Sequence, residues 1–171
     1  MKYEGGRQTD INKQQEYYLS ATIQWQPCST FSTSWANDLV LNTLDNNLPN
    51  NPNPTRYTWL SAFNLRYQWK GLTATGTLVH TLIAEDVKSG NRPDNRSRFS
   101  PTLSFIYRPW EKYSLFLRLM YKDTFRVPTF NDLYYQRMGN TDLRPEKARE
   151  YNIGITLSLI HISEPTRRVV I

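Results

Sequence analysis

Apolar and polar residues alternate strictly in several segments of the chain, which is the pattern of a β-strand with two different faces. In segment 57–70 the apolar positions alternate with polar ones, namely Thr58, Asn64, Arg66, Gln68 and Lys70. Segments 17–26 and 114–122 follow the same rule. Each of these segments therefore predicts a strand that separates an apolar environment from a polar one.

Four further segments alternate less cleanly, at about 31–42, 72–84, 99–108 and 148–157. The facing of segment 72–84 is ambiguous, because Val79 and Ile83 alternate in phase with four threonines. Counted together, the segments predict an all-β chain of about seven antiparallel strands.

Short and long connections alternate between these segments. The short ones are predicted at 27–30, 70–71 and 109–112, and the long, polar ones at 43–56, 85–98 and 125–147. A soluble sandwich has no reason to place every long loop at one end. Short periplasmic turns and long extracellular loops are the rule in outer-membrane β-barrels. The order of the connections therefore predicts a curved sheet that forms part of an antiparallel transmembrane β-barrel.

Strand length and composition agree with a barrel. Most of the segments approach the roughly 9–11 residues that a tilted membrane strand needs, whereas strands of soluble sheets average about 5–6. No apolar run approaches the roughly 20 residues of a membrane helix. A mean hydropathy of -0.64 is typical of soluble proteins. Barrel strands also average to mildly polar, because only alternate residues face lipid.

Aromatic residues and charges are placed as a barrel requires. One aromatic group lies near the short turns: Trp25, Trp35, Tyr67, Trp69, Tyr107, Trp110 and Tyr113. A second group lies near the long loops: Tyr17, Tyr57, Trp59, Tyr121, Phe125 and Tyr151. Such rings collect at both membrane interfaces. Arg66 and Arg118 lie mid-strand on the polar face, where they avoid the cost of about 2–4 kcal/mol for a charge facing lipid. These placements predict a polar, hydrated lumen.

Two features argue against other protein classes. The single cysteine, Cys28, excludes an internal disulfide framework and a cysteine-based metal cluster, and we predict that it is a turn residue. The net charge of +6 could indicate a nucleic-acid partner. However, the basic residues are scattered, and no nucleic-acid-binding motif accompanies them. We expect no nucleic-acid partner and no cofactor.

A dense motif lies between the sixth and seventh segments. Residues 126–135 read Arg126-Val127-Pro128-Thr129-Phe130-Asn131-Asp132-Leu133-Tyr134-Tyr135; residues 139–146 read Gly139-Asn140-Thr141-Asp142-Leu143-Arg144-Pro145-Glu146; and 151–154 read Tyr151-Asn152-Ile153-Gly154. This string resembles the signature near the C-terminal end of the barrel in TonB-dependent outer-membrane receptors. Pro128 and Pro145 exclude a central strand here, and Gly139-Asn140 suits a turn. We therefore expect a long surface loop.

The resemblance implies a function and a set of partners. Receptors of this family have a 22-stranded barrel that an N-terminal plug domain occludes, in the outer membrane of Gram-negative bacteria. They import scarce ligands such as ferric siderophores, haem, cobalamin or carbohydrates, with energy supplied through the TonB complex. The expected partners are outer-membrane lipid, the plug of the same receptor, the TonB complex and a small-molecule ligand. Residues 1–156 are expected to be a barrel fragment, since the first residues lack the apolar region of a secretion signal.

Six residues of the motif loop are the expected ligand contacts, because they combine ring surface with charged or polar groups on a loop. They are Arg126, Asn131, Asp132, Tyr134, Tyr135 and Arg137. The competing interpretation is that the motif only folds the loop against the barrel mouth, with Asn131, Gly139, Asn140, Pro145 and Glu146 holding its shape.

The sequence disfavours two other functional classes, an outer-membrane enzyme and a passive porin. An outer-membrane enzyme would need a nucleophile and base, but His80 is the only histidine before residue 157 and has no acid at telling spacing. We expect it to be a hydrogen-bonded residue near a strand end, and we expect no catalytic or metal site. A passive porin shares the barrel and the polar lumen. It remains the alternative, which the motif disfavours.

The last residues have a different origin in our interpretation. Residues 157–167 resemble the translation of a transposase adapter used in sequencing-library preparation, and 168–171 would be read-through. The competing interpretation is that the seventh strand continues through Ile160 and Ile162. We expect 157–171 to be a non-native tail, and we assign no function to His161 or Glu164.

Overall fold

The computed structural model describes residues 12–46, 52–110, 114–134 and 139–158. They form one antiparallel sheet in which every strand pairs with its neighbours in sequence. The strands are β1 (Asn12–Cys28), β2 (Phe31–Asn46), β3 (Thr55–Trp69), β4 (Leu72–Asp86), β5 (Arg96–Tyr107), β6 (Ser114–Arg126) and β7 (Glu146–Ser158). A single turn of helix, α1 (Phe130–Tyr134), lies between β6 and β7. The predicted count of seven strands is confirmed.

The strands run further towards the long connections than the sequence pattern predicted. They contain 12 to 17 residues, and β4 continues to Asp86 instead of ending near residue 84. The long connections shrink accordingly, to 47–54, 87–95 and 127–145. The prediction was too short because polar strand ends lack a clear hydrophobic alternation, although their backbones still pair. We call this end of the sheet the loop end and the opposite end the turn end.

Cross-strand pairing assigns the two faces of the sheet. Trp59 lies opposite Leu39 on β2 and Leu82 on β4, whereas Arg66 lies opposite Ser32 and Thr75. We call the face of Trp59 the apolar face and the face of Arg66 the polar face. The ambiguous fourth strand is thereby settled: Leu78 and Leu82 lie on the apolar face, and its threonines, Val79 and Ile83 lie on the polar face.

Tight turns close the turn end. Lys70 and Gly71 both have positive φ angles, of 40° and 78°. A Cβ atom on Gly71 would lie 2.5 Å from the carbonyl oxygen of Arg108, so glycine is required there for both space and conformation. Cys28 was predicted in the first turn but is the exposed last residue of β1, opposite Phe31. The turn itself consists of Ser29 and Thr30.

Pairing between β5 and β6 covers a shorter stretch than the other pairings. It runs from Tyr107 opposite Leu117 to Thr102 opposite Lys122 and ends beside Pro101. Proline has no N–H to donate, so a ladder ends readily at this position. At the loop end, β5 is therefore held to β6 by side chains instead: Arg98 donates to Asp123 at 2.7 Å, and Asp123 also contacts Arg149 at 3.4 Å.

Few side chains are buried in the described part of the chain. Apart from Pro54 and Pro93, the buried apolar residues of this part are Ile83, Phe130 and Leu133, two of which belong to α1. No helix among the described residues is long and apolar enough to cross a membrane. The apolar face is left open, and its side chains remain largely exposed.

Candidate functional site

The motif loop, residues 127–145, begins with a helix cap. Thr129 donates both its backbone N–H and its hydroxyl to one carboxylate oxygen of Asp132, each at 2.8 Å. The Asp132 N–H donates to the Thr129 hydroxyl oxygen at 3.3 Å. This reciprocal arrangement is a capping box with aspartate as the acid and Thr129 as the N-cap, and it starts α1 at Phe130. The Thr129 backbone N–H and hydroxyl hydrogen bonds lower the pKa of the Asp132 carboxyl.

The helix α1 packs inwards at the loop end of the sheet. Leu133 is 2% exposed and Phe130 is 8% exposed, the lowest values among the described large apolar side chains of the loop. The guanidinium of Arg56 on β3 lies 4.7 Å from the centre of the Phe130 ring. The same guanidinium donates to the carbonyl oxygen of Pro128 at 2.9 Å. Arg56 lies on the polar face, so the motif loop folds over that face.

A buried ion pair completes the contact. Arg56 meets Glu85 on β4 at 2.8 Å, and their side chains are 12% and 2% exposed. The Tyr134 hydroxyl donates to the second carboxylate oxygen of Glu85 at 2.9 Å. Burial, then the Glu85 charge and this hydrogen bond, raises the pKa of Tyr134. We call Arg56, Glu85, Phe130 and Tyr134 the latch, because they hold the motif loop on the sheet.

The second half of the motif loop is tied to the first half and to β5. The N–H of Asn140 donates to the Asp132 carbonyl oxygen at 3.0 Å. The Asn140 side-chain oxygen accepts from the N–H of Asp142 at 2.9 Å, which forms an Asx turn. Arg96 on β5 donates to the Leu143 carbonyl oxygen at 2.9 Å. Backbone bonds therefore fix the course of the described loop residues.

The predicted ligand contacts fall into three groups. Arg126 and Asn131 are exposed; Arg126 is 3.8 Å from Glu146 in an ion pair that solvent surrounds. Asp132 and Tyr134 are engaged within the fold, in the cap and the latch. Tyr135 and Arg137 lie outside the described residues. A small cleft of about 260 Å³ is lined by Arg126 and Asp132 on one part of the loop and by Leu143 and Arg144 on the other.

Sequence reasoning missed the two sheet residues of the latch. Arg56 and Glu85 were predicted to lie in the long connections, but both belong to strands. A signal was present, because both residues keep the spacing of the polar face. Opposite charges at the adjoining ends of neighbouring strands also favour a cross-strand pair.

The histidine lies in a different position from the one expected. His80 is in the interior of β4 instead of near a strand end, and it lies on the apolar face. Its ring stacks on Phe99 at 4.2 Å, and its Nε2 is 2.9 Å from the Ser97 hydroxyl. The described residues contain no group of three or more His, Cys, Asp or Glu side chains that could hold a metal ion.

The apolar face has the properties of a surface that contacts lipid. Ile153 is 84% exposed and Ile23 is 66% exposed. A continuous apolar surface of this kind marks a membrane or protein contact. Tyrosine and tryptophan residues occur at both ends of this face: Tyr17 and Tyr57 flank Leu41 near the loop end, and Trp69 lies opposite Leu72 at the turn end. Tyr113 lies outside the described residues.

Comparison with known proteins agrees with this geometry. Residues 3–161 match the family model described as TonB dependent receptor-like, beta-barrel. A search of curated proteins gives no match. The match covers nearly the whole chain, and the all-β antiparallel sheet is the architecture that it requires. The chain therefore belongs to the family of TonB-dependent receptor β-barrels, which are transport receptors of the outer membrane.

Proposed function

We propose that this chain is part of the barrel wall of an outer-membrane receptor that imports a scarce ligand with energy supplied through TonB. The observation that carries the proposal is the latch. It folds the family motif over the polar face at the loop end, where a solute would enter the barrel. The long loops would form an outer vestibule, since long connections of outer-membrane barrels are extracellular.

The two edges of the described sheet support a larger barrel. β1 and β7 are its terminal strands, and each has one unpaired edge within the described sheet. Open edges invite pairing with further strands, and barrels remove them by closure. In the receptor, the apolar face would contact outer-membrane lipid and the polar face would surround the plug domain. The TonB complex would act through a region outside this chain.

The ligand contacts of this proposal are the exposed polar groups of the motif loop. Arg126 and Asn131 present their side chains to solvent at the vestibule. Asp132 and Tyr134 would act in their present place by holding the loop, or would contact ligand after the latch opens. Tyr135 and Arg137 complete the proposed set. The ligand would belong to the siderophore, haem, cobalamin or carbohydrate class.

Liposome swelling distinguishes a receptor from a passive porin. The complete protein is reconstituted in liposomes, which are then diluted into arabinose or sucrose. A barrel occluded by its plug should swell no faster than liposomes without protein, because no open path crosses the lumen. Swelling that decreases with sugar size would show a porin and would overturn the proposal.

Energy coupling needs a separate measurement. Uptake of labelled ferric siderophore, haem, cobalamin and maltodextrin is measured in cells that carry the complete receptor, with and without TonB. One of the four probes should accumulate only when TonB is present. Uptake of every probe without TonB would contradict the proposal.

The vestibule role is tested by replacing Tyr135 and Arg137 with Ala in the complete receptor, because replacing Tyr134 would also remove the latch hydrogen bond to Glu85. Affinity for the accumulated probe is measured on cells, and heat stability of the barrel is measured in parallel. Lost affinity at unchanged stability supports ligand contact. Unchanged affinity would leave these residues with a structural role only. Lys147→Ala, on an exposed position of β7, is the matched control.

We also propose that residues 157–171 are a non-native tail. β7 itself ends at Ser158, and the residues after 158 lie outside the described part of the chain. Sequencing the source locus with a different library chemistry should give another continuation after residue 156. Recovery of the same residues would overturn this interpretation.

A further inference from the structure

Charges on the polar face are segregated by strand. Cross-strand pairing and strand alternation place seven basic residues on β3, β5 and β6: Arg56, Arg66, Arg96, Arg98, Arg118, Lys122 and Arg126. Strand alternation places one acid of β3–β6 at a polar-face position within the described residues, Glu85, and Asp123 of β6 contacts the polar-face Arg98. On β1 and β2 the polar-face charges are Glu16 and Asp38, with no described basic residue at such a position.

Local pairing neutralises part of the basic set. Arg56 is paired with Glu85, and Arg98 is paired with Asp123. Lys122 lies opposite Glu150 on β7. Arg96 donates to a backbone carbonyl, and Arg126 forms an ion pair with Glu146. The pairings leave Arg66 and Arg118, both exposed, and neither makes an ion pair with any described residue.

Arg66 and Arg118 flank a strip of small hydroxyl side chains. Arg66 lies opposite Thr75, Thr75 lies opposite Ser104, and Arg118 lies opposite Ile106, the next polar-face residue of β5. Three strand spacings separate β3 from β6, about 14 Å. We call this strip, with its two arginines, the arginine strip. It presents two guanidinium groups and neutral hydrogen-bonding groups to whatever occupies the lumen beside it.

We propose that the arginine strip selects an anionic ligand, one that carries carboxylate, phosphate or sulfate groups, and guides it along β3–β6 and away from β1–β2. The inference rests on the proposed receptor function and deepens it by assigning a charge class to the ligand. Guanidinium groups bind such oxyanions in a two-pronged geometry. Charges of one sign on a wall of low dielectric raise the local concentration of the opposite charge.

Charged thiol reagents measure this selectivity directly. In the complete receptor, Cys28→Ser removes the native thiol of this chain, and a single cysteine is then placed at Ser104 in the strip or at Thr22 on β1. The rate of modification by an anionic sulfonatoethyl methanethiosulfonate is divided by the rate for its cationic trimethylammonium analogue. The ratio at position 104 should exceed the ratio at position 22 roughly tenfold at low salt, since such walls carry potentials of several kT.

Three controls assign the ratio to the arginines. Arg66→Gln with Arg118→Gln should bring the two ratios within about twofold, whereas Lys70→Gln with Lys147→Gln, an equal change in net charge elsewhere, should leave them unchanged. Raising the salt to about 1 M should remove most of the difference, because the screening length falls to about 3 Å. A neutral maleimide reports that both cysteines stay accessible.

Equal ratios at the two positions overturn the proposal, and they would follow if acidic side chains of the plug neutralised the strip. A ratio that the double arginine variant leaves intact also overturns it. The labelling ratio does not depend on TonB or on transport. A protein that swelled liposomes but kept the ratio would lose the receptor function while retaining an anion-selective wall.

Discussion

The motif loop and the apolar face use the same kinds of side chain for opposite purposes. In the motif loop, Phe130 and Leu133 are buried against protein, and Arg56 covers the Phe130 ring. On the apolar face, Ile153 and Ile155 are 84% and 72% exposed although they lie in a regular strand. The first region is stabilised by contacts within the chain. The second requires an apolar surrounding that the described chain does not supply.

The comparison shows that an exposed apolar side chain is not by itself unfavourable in this fold. In the proposed receptor an apolar side chain on the sheet would contact lipid, whereas the apolar side chains Phe130 and Leu133 of the motif loop are buried against protein. Charges follow the same division, since the latch buries an ion pair, whereas the apolar face carries no charged residue in the interior of β3, β4 and β5. A substitution that places a side chain suited to one of these environments in the other should therefore reduce stability the most.

Removing Arg56 should have the largest effect. Arg56→Ala leaves Glu85 buried without its counter-charge, which typically costs about 3–5 kcal/mol. The motif loop should detach, and backbone amides of 129–134 should lose hydrogen-exchange protection in the complete receptor. Arg144→Ala, in an exposed part of the same loop, is the control. Unchanged protection after Arg56→Ala would show that the latch does not hold the loop.

A charge on the apolar face should cost nearly as much. Leu103→Arg places a guanidinium towards lipid and should destabilise the barrel by about 2–4 kcal/mol. Thr102→Arg, the neighbouring residue on the polar face, should change stability much less. Urea unfolding in lipid vesicles measures both. Equal losses for the two variants would contradict the assignment of the faces.

The Tyr134 hydrogen bond should contribute less than the ion pair. Tyr134→Phe removes a hydrogen bond to a carboxylate, which typically contributes about 1.5–3 kcal/mol, and the loop should open more often in hydrogen exchange. Because the pKa of Tyr134 is raised in the fold, its contribution is complete below the unfolded tyrosine pKa of about 10. It should be lost as pH rises above that value.

We expect the motif loop of the wild-type protein to open more often above pH 10 than at pH 8, because the Tyr134 hydroxyl then loses its proton in the open loop. The Tyr134→Phe variant should lack that extra component while sharing the general effects of high pH. Identical pH profiles for the two proteins would assign no role to the tyrosine hydroxyl.

The helix cap should have the smallest effect. Thr129→Ala removes the capping hydroxyl and should cost about 1 kcal/mol. Because Asp132 has a lowered pKa, the stabilisation from its carboxylate is present above the unfolded carboxyl pKa of about 3.9 and is lost as pH falls through the folded value. Hydrogen exchange of Leu133 against pH measures both effects. Thr141→Ala, outside the cap, is the control.

The sequence by itself determined the number of strands, the two faces of the clearly alternating strands, and which end of the sheet carries the long connections. Alternation is a local property, because successive side chains of a strand point to opposite sides whatever the strand pairs with. Segment 57–70 therefore identified β3, and Arg66 and Arg118 were correctly placed on the polar face. The motif 126–154 likewise indicated the family before any contact was known.

Only the tertiary structure decided how the motif is used. Pro128 meets Arg56 across 72 positions of sequence, and Tyr134 meets Glu85 across 49. No local sequence pattern indicates a contact between residues so far apart, because such a contact depends on the order of β3, β4 and β6 in the sheet. The same holds for β4, whose facing became definite only when Leu82 was paired with Trp59. Local chemistry limits which side chains can form the latch, and the order of the strands decides which of them come into contact.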